Sequence, residues 1–283
     1  EKSVPLVTVP TPCTAILNLW KATKESNPNT IIEIMNRYMS ETDGPIEPAI
    51  ELCVTHFGQA ETLRVLCAVG IISKTVQFDV VFDNAALQLA CENGHLHVAQ
   101  WLVERFELTA ADARVENNYA LRYTCRNGHL HVAQWLVERF ELTAVDARDK
   151  NNIALRWACE NGHLHVAQWL VERFELTAVD ARTDNNYALR FACINGHLHV
   201  AQWLRERFGL TAIDARTDNN TALRVACANG HLRVVQWLVE CFGLTAADAR
   251  DANNLVLRIA CENGHLHVAQ WLVERFGLTA VDA

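Results

Sequence analysis

The chain has 283 residues, with 33 acidic against 25 basic side chains, a net charge of −8 and an isoelectric point near 5.8. That balance lacks the basic footprint of a nucleic-acid binder. No apolar run approaches the length that spans a bilayer.

Residues 1–14 are Pro-rich and read as an extended segment. They lack the charged start, apolar core and small-residue cleavage site of a signal peptide, and the opening Glu1 points to a processed form or a fragment. Residues 15–82 read as a divergent helical cap, with helices over 15–24 and 29–40 and a helix pair across 45–73. An array needs such a cap because an end unit shows one apolar face to water. From residue 83 the chain repeats itself. The string NGHLHVAQWL starts at Asn93, Asn127, Asn161, Asn195 and Asn263, and returns as NGHLRVVQWL at Asn229. A fixed period of this size means stacked units, each too small to bury its own apolar face. The repeated residues must therefore build the stack, and those that differ are free for something else.

Within one unit the pattern predicts a first helix from about Asn118 to Arg126. The Asn127-Gly128 pair then turns the chain, since Gly allows the left-handed step that ends a helix. A second helix follows from about Leu130 to Phe140, with Val132, Ala133, Trp135, Leu136 and Phe140 suited to the core. Thr109 with Asp112 three residues on reads as a capping box that opens a short helical turn. The last unit, 255–283, keeps Trp271, Leu272 and Phe276 without polar replacements. This predicts either further chain or protection by self-association.

A full unit, NNYALRYTCRNGHLHVAQWLVERFELTAVDARDK from Asn117 to Lys150, resembles the ankyrin repeat. The family's T-P-L-H-x-A-A-x-x-G-H core appears as Y-A-L-R-Y-T-C-R-N-G-H, Tyr119 to His129. The resemblance is strong over 83–283 and weak over 45–82. There are departures. The family's His is Arg122, Arg156, Arg190, Arg224 and Arg258, and its Pro is Ala120, Ala154, Ala188, Ala222 and Val256. The family's hairpin sequence is replaced by L-T-A-x-D-A-R. The resemblance implies an all-α, ankyrin-like solenoid of stacked helix-turn-helix repeats, with short helical turns or loops in place of most β-hairpin fingers. It would consist of the segment 1–14, cap repeats over 15–82 and an array of six repeats over 83–283. It also implies a non-enzymatic module that binds a partner protein, with the turn and first helix lining a concave surface.

The variation falls on that surface. The turn pair reads Val115-Glu116, Asp149-Lys150, Thr183-Asp184, Thr217-Asp218 and Asp251-Ala252. Three helix columns also vary: Tyr119, Ile153, Tyr187, Thr221, Leu255; then Tyr123, Trp157, Phe191, Val225, Ile259; then Arg126, Glu160, Ile194, Ala228, Glu262. Positions i, i+4 and i+7 share one helical face. Interface hot spots favour Trp, Tyr and Arg. Tyr119, Tyr123, Trp157, Tyr187 and Phe191 are therefore the expected anchors. Glu116, Asp149, Lys150 and Asp184 would set register, with Ile153, Arg126 and Glu160 beside them. The turn acids, against the array's single Lys150, suggest a partner with an apolar anchor in basic surroundings. The alternative is that the Tyr123 column records tolerated repacking of a half-buried position and that the turn residues vary because nothing constrains them.

Other constellations read as structural. Cys91, Cys125, Cys159, Cys193, Cys227 and Cys261 share one repeat position. Helices pack roughly 8–10 Å apart, too far for disulfides, so these are small buried hydrophobes. Cys241 replaces a repeated Arg and is expected to be exposed. A disulfide among Cys13, Cys53 and Cys67 stays open. The resemblance implies that the first His of each G-H-L-H string is structural, and the second (His97, His131, His165, His199, His267) is expected to face solvent. Residues two apart on a helix do not chelate, so no metal is expected, although many His titrate near pH 6.5. The Arg of each A-L-R and the Asp-Ala-Arg of each loop, as at Asp146 and Arg148, form ladders of opposite charge expected to tie units together; an anion-binding Arg row is the alternative. No phosphate-cradling loop, HExxH helix or nucleophile elbow occurs, and Cys241 has no oriented partner. No enzyme activity, cofactor, nucleic acid, membrane or small-molecule substrate is expected. The sequon Asn219-Asn220-Thr221 lies at the rim of the face. Localisation is open between the cytoplasm and a secreted effector acting in a host cell after signal removal. The rival functions are a structural spacer and a self-associating scaffold.

Overall fold

In the computed structural model, residues 80–278 are described. The segment expected over 1–14, the cap helices before residue 80 and the pairing considered among Cys13, Cys53 and Cys67 lie outside them, as does 279–283. The described residues divide into two units, 80–113 and 114–278. In the first, α1 (Val80–Glu92) packs against α2 (Leu96–Phe106), and the one-turn α3 (Ala110–Ala113) returns to α1.

The second unit opens with α4 (Val115–Arg126), α5 (Leu130–Arg139) and the one-turn α6 (Ala144–Ala147). The set recurs as α7 (Asp149–Glu160), α8 (Leu164–Arg173) and α9 (Ala178–Ala181). It recurs again as α10 (Thr183–Ile194), α11 (Leu198–Phe208) and α12 (Ala212–Ala215). Then come α13 (Thr217–Ala228) and α14 (Leu232–Phe242), and finally α15 (Ala246–Glu262), which joins loop turn and first helix, with α16 (Leu266–Phe276). Each first helix packs on the next first helix and on its own second helix. Among the described residues there is no strand, so helical turns stand where hairpin fingers would be.

The core follows the repeated letters. On α5, Val132, Ala133, Leu136 and Val137 are buried, one apolar stripe of a 3.6-residue period, and Phe140 is buried just beyond the helix. Trp135, expected in that core, is only half-buried. Its ring meets Phe140 edge-on with centroids 6.0 Å apart, so Val137 takes the interior place. Cys125, Cys159, Cys193 and Cys227 are buried, as is Cys91, and burial raises their thiol pKa well above the ordinary value. Cys261 corrects the expectation for this column: it is exposed. Cys125, Cys159, Cys193 and Cys227 lie on first helices that a further first helix covers, and none stacks beyond α15 among the described residues. Cys241 is exposed, as its replacement of Arg implied.

Three devices hold neighbouring repeats in register. The first is a carboxylate shared between two jobs. Asp146 closes the capping box of its own loop, accepting from the Thr143 backbone N–H at 2.8 Å. The same carboxylate pairs with Arg114 of the preceding loop, Nε to Oδ1 at 2.8 Å. Arg148–Asp180 at 2.9 Å, Arg182–Asp214 at 2.7 Å and Arg216–Asp248 at 2.7 Å repeat the rung. Burial alone would raise the Asp180 pKa, but the hydrogen bonds from Arg148 and Thr177 outweigh it and leave the carboxyl below its ordinary value. The expected tie between units is therefore present, each Arg reaching the Asp 32 residues on.

The second device joins glycine to histidine. Gly128 sits at φ +80°, and a Cβ there would lie 2.6 Å from Nδ1 of His163. Gly162 with His197, Gly196 with His231 and Gly230 with His265 repeat the contact. His163, His197, His231 and His265, each the first His of its string, thus lie on the glycine of the preceding repeat. The second His faces solvent but also reaches back: His165 Nε2 lies 3.2 Å from the Gly128 carbonyl, and His199 Nε2 3.2 Å from that of Gly162. A carbonyl only accepts, so each Nε2 carries the proton.

Packing this close has a pH consequence. Burial lowers the His163 pKa, and the neighbouring rings of His165, His129 and His197 lower it further, against a backbone hydrogen bond at Arg126 that raises it. His197 is lowered the same way, by burial, His199 and His231, against a hydrogen bond at Glu160. The fold therefore favours the neutral rings, while the unfolded chain takes up protons near the ordinary histidine value. Below about pH 6.5 the unfolded state binds more protons, so stability falls as pH drops through that value toward the lowered one. Urea unfolding of the chain between about pH 7.5 and pH 5.5 should show a declining free energy. A flat or rising profile would mean that these rings are not held neutral.

The third device is a left-handed turn three residues long. Glu116, Asn117 and Asn118 have φ of 53°, 57° and 59°, and the same run occurs at Lys150–Asn152, Asp184–Asn186 and Asp218–Asn220. Non-glycine residues resist this region, Asn and Asp least, which accounts for the repeated Asn-Asn. Cross-links hold the turn. The buried Asn118 donates to Asp149 Oδ2 at 3.2 Å, and Asn186 donates to Thr217 Oγ1 at 2.9 Å. The Arg that stands where the ankyrin repeat has His clamps it from behind: Arg122 Nε donates to the Asn117 carbonyl at 2.7 Å and Nη2 to that of Glu116 at 2.8 Å.

Candidate functional site

The left-handed turns and the first helices present the variable side chains. On α4, Tyr119 and Tyr123 are one helical turn apart and stack, centroids 3.9 Å apart and planes at 13°. Trp157, from α7, meets Tyr123 edge-on at 5.0 Å. Two guanidinium groups lie over this group. Arg122 Cζ is 6.0, 5.9 and 5.6 Å from the Tyr119, Tyr123 and Trp157 centroids. Arg126 Cζ is 5.6 Å from Tyr123 and 5.3 Å from Trp157. All three rings are half-buried, and Arg126 is exposed.

A second group forms on α10. Tyr187 stacks on Phe191 at 3.8 Å, and Arg156 lies 4.6 Å over Tyr187. The Tyr187 hydroxyl donates to Glu160 at 2.7 Å. Burial and that carboxylate push the hydroxyl pKa above the ordinary tyrosine value. The five expected anchors thus gather into two clusters. Glu160 and Asp184 join the second, the latter by an ion pair with Arg156. Ile153 is half-buried and joins neither ring stack.

The turn acids form less of a free rim than their count suggests. Asp184 pairs with Arg156, and Asp218 pairs with Arg190 at 2.7 Å. Asp149 accepts from Asn118 and from the Lys150 backbone N–H, and Asp251 accepts from Asn220 at 3.1 Å. Glu116 and Lys150 are exposed. The repeated Arg of the first helices, expected to tie units together with an anion-binding row as the alternative, line both clusters. Only the stacking register, which sets a 28-residue reach from Arg156 to Asp184, reveals this. A further variable column was also missed. Val145, Val179 and Ile213, on the loop turns, are exposed apolar residues at 80, 77 and 82 %. Among the described residues no three His, Cys, Asp or Glu side chains converge as a metal site would.

A column of identical junctions carrying a variable face defines a repeat scaffold of the α-solenoid class. The chain belongs to the ankyrin-repeat family. The family profile described as "Ankyrin repeats (3 copies)" matches residues 49–149, 87–180, 121–214, 155–248 and 189–282. Ankyrin repeats are in general protein–protein interaction modules. A solved ankyrin repeat family protein from Legionella pneumophila is similar at 21% identity and a TM-score of 0.46, over 96% of this chain and 83% of that one. No curated protein matches the sequence.

Proposed function

We propose that this chain is a non-enzymatic binding module that holds a partner protein along the first-helix and turn face, the concave face of ankyrin arrays. Residues 83–283 would be the array and 15–82 its cap. One observation carries the reading. Side chains vary where a partner would touch, and there they gather as stacked rings beneath guanidinium groups. Tyr119, Tyr123, Trp157, Tyr187 and Phe191 are the proposed anchors, with Ile153 beside them. Glu116, Asp149, Lys150, Asp184, Arg126 and Glu160 set register. Near-identical repeats suit fast-changing recognition, and the finer proposal is an effector that captures a host protein.

The test compares the chain with a Tyr123→Ala, Trp157→Ala, Phe191→Ala variant as baits in affinity capture. Circular dichroism first verifies that the variant is helical. A protein retained by the parent and lost by the variant supports the reading. Equal capture by both would remove it, and a spacer without a partner on this face would capture nothing with either.

A further inference from the structure

The first-helix arginines follow a rule that holds at two junctions and breaks at two. Arg156 meets Asp184 of the next repeat, and Arg190 meets Asp218. At Arg224 the residue in that place is Ala252, and Arg224 donates to Thr221 Oγ1 at 2.9 Å instead; at Arg122, the one of the two beside an aromatic cluster, it is Lys150. Arg122 is 9 % exposed and has carbonyl oxygens and aromatic rings around it, but among the described residues no carboxylate pairs with it. Arg126, exposed, lies 5.3 Å over Trp157, and Lys150, also exposed, holds the turn position from which Asp184 and Asp218 reach their arginines at the next two junctions. Of the nearby acids, Asp149 is engaged with Asn118 and Glu160 with Tyr187, which leaves Glu116 at the turn.

We infer that this junction is an anion subsite, and that the partner segment places an Asp or Glu carboxylate between Arg122, Lys150 and Arg126 with an apolar or aromatic neighbour on Tyr123 and Trp157. The inference rests on the face proposed above and adds the sign of its partner. The carboxylate takes the place that Asp184 and Asp218 fill at the next two junctions. Arg156 is as buried as Arg122 and is reached by its Asp all the same. Charge-assisted hydrogen bonds to a guanidinium are strongest where water is scarce, and the surrounding rings supply that setting. This reverses the basic partner that the count of turn acids suggested, because most of those acids are engaged within the array.

Lys150→Asp restores the rule at this junction. Position 150 has φ 49°, close to the 53° and 57° of Asp184 and Asp218, so the variant suits its backbone. It should melt no lower than the parent, by circular dichroism. A displayed library of short random peptides is selected on the full chain. The selected peptides are then measured by fluorescence polarisation on the parent, on Lys150→Asp and on a Tyr123→Ala, Trp157→Ala variant. We expect sequences rich in Asp or Glu beside Phe, Leu or Trp, weakened about tenfold or more by Lys150→Asp and lost on the double variant. Neutral or basic sequences, or acidic ones that Lys150→Asp holds equally well, overturn the anion subsite. If the double variant still loses those peptides, the face itself stands. Peptides that bind the double variant as tightly as the parent overturn the face, and no selected peptide at all overturns both.

Discussion

Gly162→Ala should cost the array about 2–4 kcal/mol, and Gly264→Ala only about 1 kcal/mol. Both glycines sit at the same left-handed step, φ +78° and +74°. Any side chain there incurs that strain, about 1 kcal/mol. The difference is the neighbour. A Cβ on Gly162 would lie 2.7 Å from His197 Nδ1 and 2.8 Å from its Cε1, whereas a Cβ on Gly264 meets nothing within 4 Å. His197 is half-buried and cannot swing aside without opening the junction, and overpacking of this kind costs about 1–3 kcal/mol. Denaturant unfolding of the two variants beside the parent measures the difference. Equal losses would mean that the His–Gly contact is too loose to register the stack.

Asp180→Ala is the second large effect, about 2–3 kcal/mol, against about 1 kcal/mol for Asp112→Ala. Both residues cap a loop turn: Asp112 Oδ2 accepts from the Thr109 backbone N–H at 2.7 Å, and Asp180 Oδ2 from that of Thr177 at 2.8 Å. Loss of a cap costs about 1 kcal/mol. Asp180 also takes Arg148, at 2.9 and 3.3 Å, whereas the chain has Val80 where a partner Arg for Asp112 would stand. The Arg148 side chain is 39 % exposed and can hydrate once released, so the ion pair is discounted to about 1–2 kcal/mol. A double-mutant cycle with Arg148→Ala isolates it. A coupling near zero would reduce Asp180 to a cap.

Both effects were partly legible in the sequence. The 34-residue period fixed the stack, Asn127-Gly128 marked the left-handed step, and Thr-x-x-Asp marked the loop turn. The repeated Asp-Ala-Arg pointed to inter-repeat pairs, because opposite charges recurring in register must meet somewhere. Cross-repeat partners were less legible. That His163 lies on Gly128, or that Arg122 clamps the Asn117 and Glu116 carbonyls, depends on stacking offset and on a three-residue left-handed turn. Asn-Asn is compatible with that turn and with many ordinary loops. The candidate face was found as columns of variation, and the five aromatics do lie on it. How many of its acids are free was not legible, because a count of acids does not tell which are already paired. Cys261 was misread for a related reason: burial in its column comes from a neighbour, not from the residue.

Arg156 is neutralised by Asp184, whereas Lys150 stands at the corresponding position for Arg122, across junctions that are otherwise alike. The character of the face is thus written in adjacent pairs of repeats rather than in single ones. The backbone interfaces are interchangeable, so whole units could be shuffled like cassettes without redesigning a joint. Each new order would create a different set of guanidinium groups with and without a carboxylate partner. A handful of units would therefore encode many more surfaces than their number, by sequence order alone and without a single point mutation.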